Sequence, residues 1–329
     1  MRRSTAIITI LMLFLATVLV GCSASKGGQS QAERQSQEQP QVTQGEQPDV
    51  AGNLKTKYPL TIVDDIGATV TIPAKPTRIV SLLPSSTEIL CALGEYPVAV
   101  TKWDDYPAEV KDKAEYVFED ALNPNLEQIL DLEPDLIMYW LASAEDTKKI
   151  KSLGIPVVVF EAQGIDDVYE SIAMTGQITD RQEQAAAIIE EMKAKEKRIE
   201  EKLAQLPVEE KRKVWMEVDS KLFTAGKGTF LHEVITKAGG INIAEDVQGW
   251  AQFNSEQVIA RNPDVIFETY SYSDPNAAQI IKKRKGWENI GAVKNNRIIS
   301  LDNNIISRQG PRIIDGLELT AKAIYPELF

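Results

Sequence analysis

The sequence predicts an α/β protein built as two α/β lobes joined by one long helix. Three observations predict it. β-Rich apolar runs alternate with helical segments from residue 58 onward, one long amphipathic stretch divides that alternation in two, and a block in the first half recurs in the second at the same spacing. The expected boundaries are 58–179 for the amino-terminal lobe, 180–206 for the interdomain helix and 207–329 for the carboxy-terminal lobe.

In the first lobe, Tyr58–Val63 and Ala68–Ile72 flank Asp64-Asp65-Ile66-Gly67, the pattern of a short hairpin. Arg78–Leu83, Val98–Thr101, Leu136–Tyr139 and Val157–Phe160 read as buried strands, separated by helices near 86–93, 125–132 and 145–153. In the second lobe, strands are expected near Lys213–Val218, Val265–Phe267 and Ile298–Leu301, with helices near 230–238, 255–261 and 311–324. Between the lobes, Asp180 and Glu183 stand at the spacing of a capping box. Ile188, Ile189, Met192, Ile199, Leu203 and Leu206 then recur mostly at three- and four-residue steps. A helix over 180–206 would run roughly 40 Å, long enough either to brace two lobes against opening or to pack along one of them.

The repeat pairs Asn125-Leu126-Glu127-Gln128-Ile129-Leu130, leading to Pro134-Asp135-Leu136-Ile137, with Asn254-Ser255-Glu256-Gln257-Val258-Ile259, leading to Pro263-Asp264-Val265-Ile266. Each reads as an Asn-capped helix ended by proline and followed by a buried strand. Glu127 and Glu256 admit two explanations. They complement the positive end of a helix dipole, or they form a pseudo-symmetric carboxylate pair, one per lobe, facing a symmetric basic partner.

At the amino terminus, Arg2 and Arg3 precede an uncharged stretch, Ala6–Val20, that is too short to span a bilayer comfortably. That is the pattern of an export signal over residues 1–21. Leu19-Val20-Gly21-Cys22 resembles the bacterial lipobox, which implies lipidation of Cys22 and attachment to the extracytoplasmic face of the cell membrane without spanning it. Residues 22–57 then read as anchor and flexible linker. From Ser23 on they are rich in Gln, Ser, Gly and Glu, and Val42, Val50 and Leu54 are their only large apolar side chains. Lipidation of Cys22 leaves Cys91 alone, in an apolar helical run, so no intrachain disulfide forms.

The chain carries a net charge of −12, and removal of residues 1–21, whose only charges are Arg2 and Arg3, makes it −14. A surface this acidic repels nucleic acid. His232 is the only histidine and sits on a predicted helix, and no His and Cys cluster has metal-ligand spacing. Neither a metal site nor a catalytic residue is expected, and no cofactor. Thr224-Ala225-Gly226-Lys227-Gly228-Thr229 lacks the full phosphate-loop spacing and reads as a strand-to-helix turn.

Arg78-Ile79-Val80-Ser81-Leu82-Leu83-Pro84-Ser85-Ser86-Thr87-Glu88, Asp105-Tyr106-Pro107, the two Asn-x-Glu-Gln segments, Phe223-Thr224-Ala225-Gly226-Lys227 and Gly310-Pro311-Arg312-Ile313 together resemble the helical-backbone (class III) substrate-binding lipoproteins of ABC importers. The similarity covers residues 58–329 and is greatest to the cobalamin-binding proteins, with iron-siderophore and haem binders as near relatives. It implies a small-molecule ligand in a cleft between lobes, and a partner in the permease dimer with its ATPase subunits. It also implies docking of Glu127 and Glu256 into arginine pockets of that permease. Nothing requires a dimer, and a monomer is expected.

On this fold the ligand lies beyond the carboxyl ends of strands. That rule nominates Pro84, Ser85, Ser86, Trp103, Asp104, Phe118, Tyr139, Trp140, Trp250, Asn304, Ile305 and Arg308. Trp103 and Trp250 fall where the resemblance implies aromatic contacts, while Trp215 and Trp287 read as core. For each nominated aromatic, packing and ligand contact both remain open. The loop Asp302-Asn303-Asn304-Ile305-Ile306 lacks the aromatic some cobalamin binders have, and no arginine and tyrosine cluster suits an anionic siderophore. A neutral or weakly charged ligand is favoured, with Arg308 either reserved for it or paired within its own lobe. The competing classes are an enzyme, for which the sequence offers little, and a tethered surface adhesin, which predicts no small ligand.

Overall fold

The computed structural model describes residues 55–140 and 143–329. The expected signal, lipobox and nearly all of the linker, Cys22 included, lie outside the described residues.

A hairpin comes first, β1 (Leu60–Val63) against β2 (Thr69–Ile72), antiparallel with Thr61 opposite Thr71. Leu60, Ile62, Val70 and Ile72 alternate with exposed neighbours and face the core, as period two requires. A parallel sheet follows in the order β5-β4-β3-β6-β7, from β3 (Ile79–Ser81), β4 (Ala99–Thr101), β5 (Tyr116–Phe118), β6 (Leu136–Tyr139) and β7 (Val157–Val159). Its helices are α1 (Pro84–Ala92), α2 (Val110–Lys113), α3 (Leu126–Asp131), α4 (Ala144–Lys151) and α5 (Ile165–Thr179). β5, α2 and α5 go beyond the sequence expectation; three residues are too few for β5 to show a period, and α2 is a single turn.

After α6 (Gln182–Leu203), the second lobe carries a four-stranded parallel sheet ordered β10-β8-β12-β13. Its strands are β8 (Lys213–Glu217), β10 (Ile241–Asn242), β12 (Val265–Glu268) and β13 (Ile298–Ser300). A separate antiparallel pair joins β9 (Phe223–Ala225) to β11 (Trp250–Gln252). The helices are α7 (Phe230–Lys237), α8 (Ser255–Arg261), α9 (Ala277–Lys282), α10 (Gly291–Lys294), α11 (Asn303–Ser307) and α12 (Ile313–Ile324). Trp215 and Trp287 are fully buried in this lobe.

The repeat is a repeat of hydrogen bonding as well as of sequence. Asn125 and Asn254 cap α3 and α8 through their side chains. Each helix gives way to a left-handed residue directly before proline, Glu133 (φ 47°) and Asn262 (φ 46°). The next aspartate ties the incoming strand to its neighbour. Asp135 accepts the Thr77 and Arg78 amides at 2.7 and 3.0 Å, and Asp264 accepts the Lys213 amide at 2.8 Å.

The joining helix is shorter than expected. Asp180 does not open a capping box; it closes α5 in the left-handed conformation (φ 57°), and its carboxylate accepts the Thr56 amide at 2.7 Å. α6 therefore begins after a tight corner and runs roughly 33 Å. Gly176 makes that corner possible, since a Cβ there would meet the Ala185 Cβ at 2.5 Å. α6 packs on α5 of the first lobe and α12 of the second, and its buried Met192 and Ile199 belong to one apolar cluster that also holds Ile165, Ile172, Val234 and Leu317. The helix braces both lobes rather than lying along one.

Candidate functional site

Parallel sheets end all their strands on one edge, and the loops leaving those edges in the two lobes meet across a cleft. A cavity of about 840 Å³ is lined by Lys102, Trp103 and Asp105 after β4, Thr269, Ser271 and Tyr272 after β12, Ser300 to Asn304 at and after β13, and Arg308. A recess of about 250 Å³ shares Trp103, Asn303, Asn304 and Arg308 with it and adds Leu83, Pro84 and Ser85 at the start of α1. The larger volume lies in the usual range for small-molecule sites, roughly 300–1,000 Å³. Of the nominated residues, Pro84, Ser85, Trp103, Asn304 and Arg308 are thus brought together around the cleft.

Trp103 is 58 % exposed and Trp250, on β11, 59 %. Trp140, just past β6, is also exposed, and neither it nor Trp250 is among the residues that line the cavity or the recess. An exposed indole is a large apolar surface left open, and exposed tryptophan is the form in which a stacking wall is built. Ile305 is half-buried on α11, whose backbone lies against α12 at Gly316.

Four nominated residues support the wall instead of facing the cleft. Phe118 packs edge-to-face on Tyr116 at 4.8 Å, inside the cluster that holds Ile137 and Val159. Tyr139 is fully buried in the same cluster, because alternation along β6 turns its ring away from the strand's end, and burial pushes its phenol up to about 12. Asp104 folds back on its own loop, its Oδ2 accepting the Thr101 amide at 2.7 Å and hydroxyl at 2.5 Å. Burial raises the Asp104 carboxyl above the ordinary range against those hydrogen bonds. Ser86 is buried in the first turn of α1.

Arg308 does not pair within its own lobe. Its guanidinium crosses the cleft to donate to Glu88 on α1 at 3.0 Å, to Asp105 at 2.5 Å and to the Trp103 carbonyl at 2.7 Å. Asn304 donates to Asp105 at 2.8 Å in the same crossing. Glu88 is gripped a second time by Arg312, at 2.9 and 2.6 Å, and the Arg312 guanidinium lies 4.0 Å from the Tyr106 ring centroid. Sequence reasoning quoted Glu88, Asp105 and Arg312 only as motif residues, and their joint role depends on contacts across some two hundred residues of chain. Lys102, Lys111 and Tyr272 also went unnominated. Lys102 pairs with Glu119 at 3.7 Å, and Lys111 donates to the Lys102 carbonyl at 2.5 Å.

Glu127 and Glu256 occupy matching positions in the first turns of α3 and α8, both exposed, and neither forms an ion pair among the described residues. His232 accepts at Nδ1 from the Asn242 amide (3.1 Å), whose orientation is fixed by its bonds to Ala225 O and Ala244 N. Burial lowers its pKa, so the ring is held neutral with the proton on Nε2. The Thr224–Thr229 segment is a strand-to-helix turn, with the Thr229 hydroxyl capping α7. Burial likewise pushes the half-buried Cys91 thiol up to about 12, far from a reactive thiolate. Among the described residues no group of three or more His, Cys, Asp or Glu is placed to hold a metal ion, and no helix is long and apolar enough to cross a membrane.

Two α/β lobes, a bracing helix and an open cleft at the strand ends define a class of solute carriers, and the chain belongs to the periplasmic binding protein family, whose model matches residues 79–305. It is 39 % identical over 294 residues to the uncharacterized ABC transporter substrate-binding lipoprotein YvrC of Bacillus subtilis (strain 168), covering 86 % of this chain and 91 % of that protein. It is 31 % identical over 245 residues to the vitamin B12-binding protein of Salmonella typhimurium (strain LT2), covering 72 % and 86 %. Among solved structures, a possible iron-binding (periplasmic solute-binding) protein from Staphylococcus epidermidis superposes with a TM-score of 0.67 at 39 % identity, covering 77 % of this chain and all of that one.

Proposed function

We propose that this protein is the extracytoplasmic substrate-binding component of an ABC importer, held at the membrane by a lipid on Cys22, and that it captures cobalamin or a related corrinoid and hands it unchanged to the permease. The observation that carries the ligand class is the cleft's combination of an exposed tryptophan wall with an arginine already neutralised. Trp103 offers a broad apolar face, while Arg308 is engaged by Glu88 and Asp105 and so presents no spare charge to an anionic siderophore. A corrinoid, apolar across its face and ringed by neutral amides, matches both features. The vitamin B12-binding name of the Salmonella relative supports the same choice.

A second reading has its own support. Lys102 and Lys111 border the larger cavity, and the Staphylococcus structure carries an iron-binding name. An iron-siderophore or haem ligand would use those lysines. Calorimetric titration of the chain from residue 23 onward with cyanocobalamin, haemin and a hydroxamate siderophore separates the two. Submicromolar binding of the corrinoid alone is expected, and saturable binding of an iron compound without the corrinoid moves the protein to the iron branch.

For delivery, Glu127 and Glu256 present one exposed carboxylate per lobe to matching arginine pockets on the two permease subunits. Reversal of both to lysine is expected to abolish uptake while ligand affinity stays unchanged, and unaltered uptake removes the docking assignment. Cys22→Ser is expected to release the protein from the cell surface.

A further inference from the structure

Glu88 accepts three hydrogen bonds between the lobes, as many as Arg308 donates, yet it does not line the cleft. It is 3 % exposed and borders instead a distinct recess of about 390 Å³ among α1, α6 and the start of α12. From there it holds two guanidiniums of the opposite lobe. Arg312 is bound through Nε and one terminal nitrogen, and Arg308 through the nitrogen that also reaches Asp105. The remaining terminal nitrogen of Arg308 donates to the main-chain carbonyl of Trp103.

We propose that Glu88 is a positioning residue that sets the ligand preference of the cleft through Arg308: it orients that guanidinium onto the loop bearing Trp103 and cancels its charge. The inference rests on the cleft being the ligand site. Two physical effects act in series. First, a guanidinium fixed at one end by a buried carboxylate is preorganised at the other, so the Trp103 carbonyl and the Asp105 carboxylate meet donors in a set geometry. Second, Glu88 and Asp105 together offset Arg308 and Arg312, so the wall beside Trp103 stays close to neutral. Removal of the Glu88 charge would leave Arg308 and Arg312 with Asp105 as their one remaining carboxylate among the described residues, an excess positive charge beside the Trp103 loop.

The test uses the full chain labelled with 5-fluorotryptophan, which places a ¹⁹F reporter at each of the five tryptophans. Trp103→Phe assigns the Trp103 line. Glu88→Gln is expected to shift or broaden that line without ligand present, while the lines of the fully buried Trp215 and Trp287 stay in place and certify the fold. An unmoved Trp103 line in a folded Glu88→Gln protein overturns the proposal. If Glu88→Gln does not fold, Arg308→Gln and Arg312→Met decide. Arg312→Met keeps the Glu88 to Arg308 contact and should leave the Trp103 line alone, whereas Arg308→Gln should move it. Equal movement in both overturns the proposal.

Ligand preference gives the second readout. Glu88→Gln is expected to raise the ratio of haemin to cyanocobalamin affinity by about tenfold at low salt, and by less at high salt, because one unscreened charge at ~10 Å acts on the haem carboxylates alone. A merely structural role would weaken both ligands alike, and that result refutes the preference. If the native chain binds neither ligand, the corrinoid reading fails, and the Trp103 line still decides the positioning role.

Discussion

Removal of the Trp103 indole probes the cleft most directly, and removal of the Trp250 indole, exposed on β11 but outside the residues that line the cavity, tests whether the second lobe adds a ring. Trp103 is 58 % exposed and Trp250 59 %. A tryptophan presents up to about 250 Å², so roughly 140 Å² of each ring stands open, and a flat ligand lying on one face covers about half of that. At ~25 cal/mol per Å² the contact is worth about 1.8 kcal/mol, or roughly a 20-fold rise in Kd for Trp103→Ala or Trp250→Ala. The two rings sit on different lobes, so their losses should add to about 3.5 kcal/mol. Calorimetric titration with cyanocobalamin reads the change. The heat-capacity change of binding should also become less negative as apolar contact is lost. A Kd within twofold of native for either variant, with circular dichroism unaltered, refutes stacking at that ring.

Two further expectations concern stability. Glu217 is fully buried and receives Arg284 at 2.8 and 2.9 Å, Tyr270 at 2.6 Å and Trp215 at 3.1 Å, so Arg284→Met strands a carboxylate. The loss should be about 3–5 kcal/mol in urea unfolding followed by tryptophan fluorescence, and a loss below 1 kcal/mol contradicts it. His232 has a folded pKa lowered by burial, so below the ordinary imidazole value of about 6.5 the unfolded chain binds more protons than the folded one, and stability is lost as the pH falls. His232→Gln should flatten that loss in melts compared at pH 7.5 and 5.5, and parallel losses in both proteins would count against it.

The fold was legible where a local pattern carried it. Apolar runs such as Leu136–Tyr139 and Val157–Val159 announce buried parallel strands, and the Asn-x-Glu-Gln blocks announce capped helices, because each signal lies within a few residues of what it specifies. Asp180 misled for the same reason. Its spacing to Glu183 is locally sufficient for a cap, but a left-handed corner ending α5 claims the residue first. The strand-end rule reached Pro84, Trp103 and Arg308, which line the cleft, but it is blind to side-chain direction and so also nominated the buried Phe118 and Tyr139. Glu88 was invisible as a site because its partners, Arg308 and Arg312, stand 220 and 224 residues away.

The two lobes are bound together at both margins, and this bears on how the cleft opens. One margin is the Glu88 cluster. At the other, the Glu233 carboxylate on α7 accepts the Ile165 amide that opens α5, at 3.1 Å. Nearby, Glu196 on α6 accepts Tyr169 of α5 at 2.6 Å and Lys237 of α7 at 2.7 Å. Glu196 is thus shared by both lobes and the brace, and loss of Lys237 leaves a largely buried carboxylate with a phenol as its remaining partner. Lys237 is itself partly exposed, so screening holds the loss to about 1–2 kcal/mol. A loss of that size at a hinge should appear as local opening rather than unfolding. Lys237→Met is therefore expected to speed amide exchange several-fold in the first turns of α5 and α7 and to leave β3, β4 and β6 protected. Uniform acceleration across both sheets would mean that Glu196 stabilises the protein globally and does not govern the hinge. No change at all would mean that the apolar packing of α6 holds the lobes without it.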